Sequence, residues 1–499
     1  MTEKPYWEIV VLTSKDRQQQ EIYKNQIAAK KLRNAILSSI EFEVYADPEE
    51  FPIGTGGSSI HCLNRLFEKY GENIFSKRIL VVHAGGFSKR LPNHSIFGKI
   101  FSPVSVHGHN IRDLLDLKIE FTQRFCPFMV NGGVFFAASD DVETFTLEGL
   151  KVKDFRNFEG VVALAHPSSL EIGKNHGVYV LSLPTPGSSL AWFDDDCTEV
   201  LQKPSVSAMR SHGCTFTNNG AECVYSDSCF WITPSVAHKL LELERHFDIY
   251  KKETCIYGNF LTCLGRNKNI IKVGDSLQQA ICEALKETPL RVLVLKNSNF
   301  YHLGTIKEYL DNLTKNRDMR ETYNFIVQST GFLKDVSVMC SRIKPDCYLS
   351  ASVVEFSVIQ MPVRGERIIL SNVQLIGREA IDLPSGWLFH TIPINVQASV
   401  KYVTIAMHEN DNPKQKCSNS RIVFGEVFIE TLTSFDGVEL WNLPLFKACE
   451  TMTDSFLWTL DFIKTVSAQP ENLSLYFSMA ECMKRCSIQK MKHFRSLMS

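Results

Sequence analysis

The sequence predicts an α/β protein: a Rossmann-like domain over residues 1–335 with a mixed, mainly parallel sheet, then a β-rich domain with terminal helices over 336–499. Three observations predict it. Apolar β-branched runs alternate with helix-period segments through the first part of the chain, as in parallel sheets connected by helices. Beyond about Asp346, short β-branched runs recur between Gly, Pro and Asn, with no helical segment until after Asp454. The length of 499 residues fits about two to four domains, and 44% hydrophobic with 22% charged residues suits ordinary globular cores.

The elements follow in order. Trp7 to Leu12 is a β-branched strand, and Thr13 or Ser14 can cap a polar helix beginning near Asp16. A helix follows Ser58 and Ser59, with Ile60, Leu63, Leu66, Phe67 and Tyr70 at helical spacing. Arg78 to His83 is an apolar strand running into a glycine turn. Further strands fall at Val134–Ala138, Val161–Ala165, Val178–Leu183 and Arg291–Lys296, with helices at Ile111–Phe121, Pro234–Leu243 and Thr305–Leu313. The later runs SVVEFSVI, RIILSNVQLIG, VTIAM and RIVFGEVFI fit either a stack of parallel coils or a sandwich. Leu473 to Phe494 reads as a terminal helix with a solvated basic face.

Charge and cysteine content exclude several classes. Lys+Arg at 54 against Asp+Glu at 55 leaves no broad positive field for nucleic acid or an anionic membrane, so a bound anion must be met by a few placed groups. No run reaches the roughly 20 apolar residues of a membrane helix, and no signal-peptide core develops at the start, which predicts a cytoplasmic protein. Fifteen cysteines, an odd number, argue against a closed disulfide framework and for buried reduced thiols. His212, Cys214, Cys223 and Cys229 have loose metal spacing but no CxxC pair.

The strongest chemical signal is Val81 to Lys99, VVHAGGFSKRLPNHSIFGK. A strand delivers Ala84, Gly85 and Gly86 into a turn where missing side chains let backbone N–H groups approach phosphate oxygens. Ser88 adds a hydroxyl, Arg90 a forked cation and Lys99 a point charge. A second glycine cluster, Gly54-Thr55-Gly56-Gly57-Ser58-Ser59, precedes helical spacing and superficially resembles the phosphate loop of galactokinase-like sugar kinases. No second glycine-rich copy of that kind follows it.

The Val81–Lys99 stretch resembles the GxGTRLxP…PK loop of sugar-1-phosphate nucleotidyltransferases, and more closely the form found in the fucose-1-phosphate guanylyltransferase (GDP-L-fucose pyrophosphorylase) family. Other segments are similar to that family in order: WEIVVLTSKD, FPIGTGGSSIHCL, AHPSSLEIGKNHGVYVLSL, LQKPSV, VYSDSCFWI and YHLGTIKEYL. The resemblance implies transfer of a guanylyl group from GTP to L-fucose 1-phosphate, giving GDP-L-fucose and pyrophosphate. It implies that Gly56, Gly57, Ala84, Gly85, Gly86 and Ser88 contact the nucleotide. Arg90 would hold the leaving pyrophosphate and Lys99 would lie near the α-phosphate.

Mg²⁺ is the expected cofactor, because hard phosphate oxygens and one or two carboxylates suit it. Asp140, in FFAASDDVETF, is the first ligand expected by resemblance, with Asp141 in reserve. Where related enzymes carry an Asp in D-x-G-T, this chain has His302 in Tyr301-His302-Leu303-Gly304-Thr305, so the second ligand is open between Asp227 and His302. Lys203 matches the lysine of an E-K-P element but follows Gln202 in place of Glu; with His176, Gly177 and His302 it would meet the sugar phosphate. His166 and Lys174 occupy similar stretches. A degenerate homologue that binds nucleotide sugars as a regulator is the reading from another class, and the presence of Arg90, Lys99 and Asp140 argues against it. Base and sugar choice rest on the resemblance, and the sequence is silent on oligomeric state.

Overall fold

The computed structural model describes residues 6–498 apart from 49–51, 108–109, 182–191, 195–196, 219, 247–248, 268–275, 326, 330, 432 and 466–474. By internal contacts the chain forms two interleaved units. The first comprises Met1–Gly86, Lys118–Ser139 and Glu143–Phe300; the second comprises Phe87–Leu117, Asp140–Val142 and Tyr301–Ser499.

The first unit is built on a mixed sheet of eleven strands among the described residues. Four neighbouring strands are parallel: Glu41–Ala46, Ile9–Ser14, Arg78–His83 and Gly133–Ala138. Ala221–Ile232 then runs antiparallel between Gly133–Ala138 and Val161–Ser169, and Leu290–Val294 lies parallel to the latter. The central strands Ile9–Ser14, Arg78–His83, Gly133–Ala138 and Leu290–Val294 are largely apolar because both of their faces are covered, whereas the edge strand Glu41–Ala46 keeps two glutamates and is only partly buried. Ile9, Val11, Ile79, Val81 and Phe136 bury one face with the helices Gly54–Tyr70 and Pro234–His246. On the alternate positions, Phe135 and Trp231 stack with ring centroids 6.1 Å apart and Phe125 tilts against both. Each such side chain contributes about 1.5–3 kcal/mol on burial.

Several boundaries differ from the sequence reading. Asp16 caps the helix Arg17–Lys31 by accepting from the Gln19 amide, while Thr13 and Ser14 end the preceding strand. The second helix begins at Gly54, so the GTGGSS segment forms its first turns. Ile111 and Arg112 belong to a hairpin strand, Asn110–Asp113, and the helix starts only at Leu114, because Pro103–His107 offers a strand partner that the local pattern does not reveal. The expected strand Val178–Leu183 is observed as Gly177–Leu181; Ser182 and Leu183 lie outside the described residues.

The second unit contains the parallel coils left open by the sequence. Three sheets repeat through the coils, and successive strands pair in parallel 16 positions apart, Val338 with Val354 and Leu370, Ile343 with Ile359 and Leu375, until the last coil, where Val363 pairs with Ile381 and Ile369 with Leu388. A long antiparallel pair, Trp387–Val396 with Ser399–His408, follows, and the helix Met452–Thr465 packs against it. The expected single terminal helix is instead a short strand, Tyr476–Phe477, then helices Met479–Lys484 and Ile488–Ser496; Ser478 and Glu481 form a capping box that restarts the chain. Leu473 and Ser474 of that expectation lie outside the described residues.

Cys263 and Cys282 form a disulfide across a separation of 19 residues, which corrects the all-thiol expectation. The other thirteen cysteines are not in disulfides, and ten of them are buried. No described helix is long and apolar enough to cross a membrane.

Candidate active site

In the first unit, the strand Arg78–His83 ends in the glycine turn beside the end of Ile9–Ser14. A Cβ on Gly85 would lie 3.0 Å from the Ser14 carbonyl carbon and the Lys15 nitrogen, and Gly86 takes φ +129°, a conformation that favours glycine. The amides of Ala84 and Gly85, expected to point at phosphate, both donate to Thr13 Oγ1, at 3.0 and 3.2 Å. Tyr23 donates to the Ala84 carbonyl and Gln19 to that of Gly86. The turn is therefore held rigidly from beneath.

Gly56 and Gly57 have a packing reason. A Cβ on Gly56 would lie 2.7 Å from Phe260 Cε2, one on Gly57 2.8 Å from Ile53 Cβ, and the Gly56 amide donates to the Thr254 carbonyl. Both glycines are buried, whereas a phosphate loop must present its backbone to ligand. Ser58 in the same segment donates to the Asp47 carboxylate, whose pKa burial pushes up to about 6.

Also in this unit, Asp227 lies on the long strand Ala221–Ile232 and accepts from the Gly177 amide at 2.9 Å. A side chain on Gly177 would meet Asp227 Oδ2 at 2.3 Å, so glycine permits that approach. His176 Nδ1 is 3.7 Å from the carboxylate, and the Lys203 amide donates to the His176 carbonyl, with Lys203 at φ +47°. Burial raises the Asp227 pKa to about 7, against the opposing pull of Gly177 and Lys203. The four predicted residues Asp227, His176, Gly177 and Lys203 thus form one group. His166 is fully buried and bonds Glu143 at 2.9 Å, a partner that sequence spacing does not indicate.

The second unit assembles the other predicted residues. Lys99 Nζ bonds Asp140 Oδ2 at 2.7 Å, and His302 Nε2 lies 3.4 Å from the same oxygen. His302 Nδ1 bonds Glu308 at 2.7 Å. Burial opposes charge on Asp140, but the Lys99 ammonium and His302 outweigh it and hold the carboxyl well below its usual range. Burial likewise opposes the His302 proton, yet the hydrogen bonds to Asp140 and Glu308 raise its pKa to about 10. Both ring nitrogens of His302 thus face carboxylates, and the raised pKa favours the imidazolium, which is a poorer metal ligand than a carboxylate.

Glu308 was not singled out by the motifs. Its position three residues after Thr305 reads as a helix cap, and Thr305 does accept from its amide; its charge is the part that completes the ion-paired row. Burial raises the Glu308 pKa, but His302 foremost, then Thr305 and Arg90, bring it below the usual value. Arg90 is exposed, while neighbouring Lys89 bonds Glu439 at 2.9 Å. Ser88 takes φ +48°. Among the zinc-spaced residues, Cys214 donates to the Met209 carbonyl and His212 pairs with Glu199.

The first unit is thus a Rossmann-like α/β unit with a glycine turn at the end of one of its parallel strands, and the second carries the ion-paired row of Lys99, Asp140, His302 and Glu308. Comparison with known proteins makes this specific. The family described as "Fucose pyrophosphorylase domain" matches residues 71–461. The chain is 30% identical to the Homo sapiens protein named fucose-1-phosphate guanylyltransferase, with 92% of this chain and 84% of that protein covered. It is 29% identical to the Mus musculus protein of the same name, over 98% and 92%. The Arabidopsis thaliana bifunctional fucokinase/GDP-fucose pyrophosphorylase is 27% identical over 63% of this chain and 32% of its own length. The chain belongs to the fucose pyrophosphorylase family.

Proposed function

We propose that the protein is a cytoplasmic fucose-1-phosphate guanylyltransferase, which forms GDP-L-fucose and pyrophosphate from GTP and L-fucose 1-phosphate. The carrying observation is the family match across residues 71–461, a span that contains Arg90, Lys99, Asp140, Asp227 and His302. A phosphate oxygen of the sugar attacks the α-phosphorus of GTP, the bond to the bridging oxygen breaks, and pyrophosphate leaves with the electron pair. No covalent enzyme intermediate is required, so orientation and charge neutralisation supply most of the acceleration.

Arg90 is the forked cation available to the leaving pyrophosphate. Lys99, held by Asp140, offers an ammonium whose position is set before substrate arrives. His302 and Glu308 support that arrangement by fixing Asp140. Among the candidate carboxylates, Asp140 is the better fit to Mg²⁺: it is kept ionised and is 18% exposed, whereas Asp227 is 6% exposed and burial raises its pKa to about 7. When bound, Mg²⁺ supplies neutralisation of the phosphate charge.

The test is direct. The purified protein with GTP, L-fucose 1-phosphate and Mg²⁺ should release pyrophosphate and GDP-L-fucose, and failure to form either removes the proposal. Arg90→Ala and Lys99→Ala should each lower turnover by about 10²-fold or more, the scale of losing one charge-stabilising donor. Asp140→Asn should raise the Mg²⁺ concentration needed for half-maximal rate.

A further inference from the structure

Glu355 is fully buried on a strand of the parallel coils, Val353–Glu355. Its place in the stack does not call for a charge. The aligned positions on the neighbouring coils are Met339 and Ser371, and an isolated carboxylate in such an interior carries a large desolvation cost. Its partners explain its presence. Asn93 Nδ2 donates to Oε1 at 2.9 Å, Ser371 donates to the same oxygen at 2.6 Å, and Tyr309 donates to Oε2 at 3.0 Å.

Asn93 lies three residues beyond Arg90 and six before Lys99, in the PNHS part of the basic loop. The same loop is gripped at a second point. The Arg495 guanidinium of the last helix is 4.5 Å from the Phe97 ring and 4.4 Å from that of Phe356, the residue after Glu355. The same Tyr309 hydroxyl lies 2.8 Å from the Pro103 carbonyl, at the loop's exit, so its one proton is shared between that carbonyl and Glu355. Between these anchors the loop is a series of tight turns, with the Leu91 amide bonded to Ser88, His94 to Leu91 and Gly98 to His94.

We infer that Glu355 is a positioning residue: through Asn93 it fixes the loop that carries Arg90 and Lys99, and so makes the β coils part of the phosphate-handling apparatus. The activity readout rests on the guanylyltransferase reading above. The structural readout does not. A loop displaced by about 1 Å loses charge stabilisation formed in the transition state, which lowers kcat more than it raises KM.

Glu355→Ala, Glu355→Gln and Asn93→Ala are compared by steady-state kinetics, normalised to folded protein, and by amide hydrogen exchange. Expected for Asn93→Ala and Glu355→Ala is a kcat lower by about tenfold or more, with KM for GTP changed less than about threefold. Amides of Leu91, His94, Gly98 and Phe101 should exchange at least about tenfold faster, while the coil strands keep their protection. Glu355→Gln retains an acceptor for Asn93 and should stay within about threefold of wild type. If Glu355→Ala does not fold, Asn93→Ala decides, because it cuts the loop side and leaves the coils untouched. Unchanged exchange across residues 91–101 in folded Asn93→Ala overturns the inference, as does a wild-type kcat. If wild type forms no GDP-L-fucose, the functional reading falls and the exchange result alone decides the role of Glu355.

Discussion

Gly304 stands where any side chain would collide with the groups beside it. A Cβ there would lie 2.4 Å from His302 Cε1 and 2.6 Å from Asp140 Oδ2. Gly304→Ala should therefore push Asp140 away from Lys99 and lower turnover by about tenfold or more, with a smaller effect on stability; a wild-type rate would show that the row tolerates the shift. His83 makes a separate prediction about acid stability. Burial lowers its pKa to about 4 from 6.5, with Ser59 Oγ 2.8 Å from Nε2 and the Phe136 ring stacked on it. Because the unfolded chain binds this proton first, the neutral imidazole's stabilisation is complete above pH 6.5 and is lost as pH falls toward 4, on the order of 3 kcal/mol. Urea unfolding at pH 7 and pH 4.5 should show a shallower acid loss for His83→Gln than for wild type, and equal losses would exclude this role. At this scale the motifs indicated Lys99, Asp140 and His302 because their residue types announce phosphate chemistry. They did not indicate Glu308 or Glu355, since a single Glu on a helix or a strand carries no spacing signal until folding brings its partner to it.

The parallel coils show how an element can be visible in type and hidden in period. The strands were legible as β-branched runs, and the sequence left open whether they stack or form a sandwich. Their 16-residue register is carried by strands of only two to four residues. The corners give a further reason. Two turn positions per coil are left-handed at the same spacing, Asp335, Ala351 and Arg367 at one, Cys340, Phe356 and Asn372 at the other. Apart from Asn372 and Asp335 these are not residues that favour that conformation, and no glycine marks the turn. Ala351, at φ +44°, carries that strain without a side-chain hydrogen bond to offset it. Ala351→Gly should therefore stabilise the coils by about 0.5–1 kcal/mol, after allowing for glycine's greater unfolded entropy. A raised urea midpoint with unchanged slope would bear this out, and a lowered one would place the conformational cost elsewhere.

For the molecule as a whole, the order of the chain and the order of its contacts differ. Residues Phe87–Leu117 belong by contact with Tyr301–Ser499, although about two hundred residues separate them in sequence. The basic loop is held by Glu439 at Lys89, Glu355 at Asn93 and Arg495 at Phe97, three residues that all lie beyond position 335. A fragment of residues 1–335 retains Arg90, Lys99, Asp140, His302 and Glu308 but none of these anchors. Its sheet carries its own core, from Ile9 and Val81 to Val292, so secondary structure should persist. The loop should not. In the fragment, amides of Leu91 to Phe101 should exchange at least about 100-fold faster than in the full chain, and formation of GDP-L-fucose should fall by a similar factor. Adding residues 336–499 in trans should restore little, because the coils would also have to recover Tyr309, which donates to Glu355 from the other fragment. A fragment with turnover within about tenfold of the full chain would show that the loop orders itself, and that the β coils contribute to stability alone.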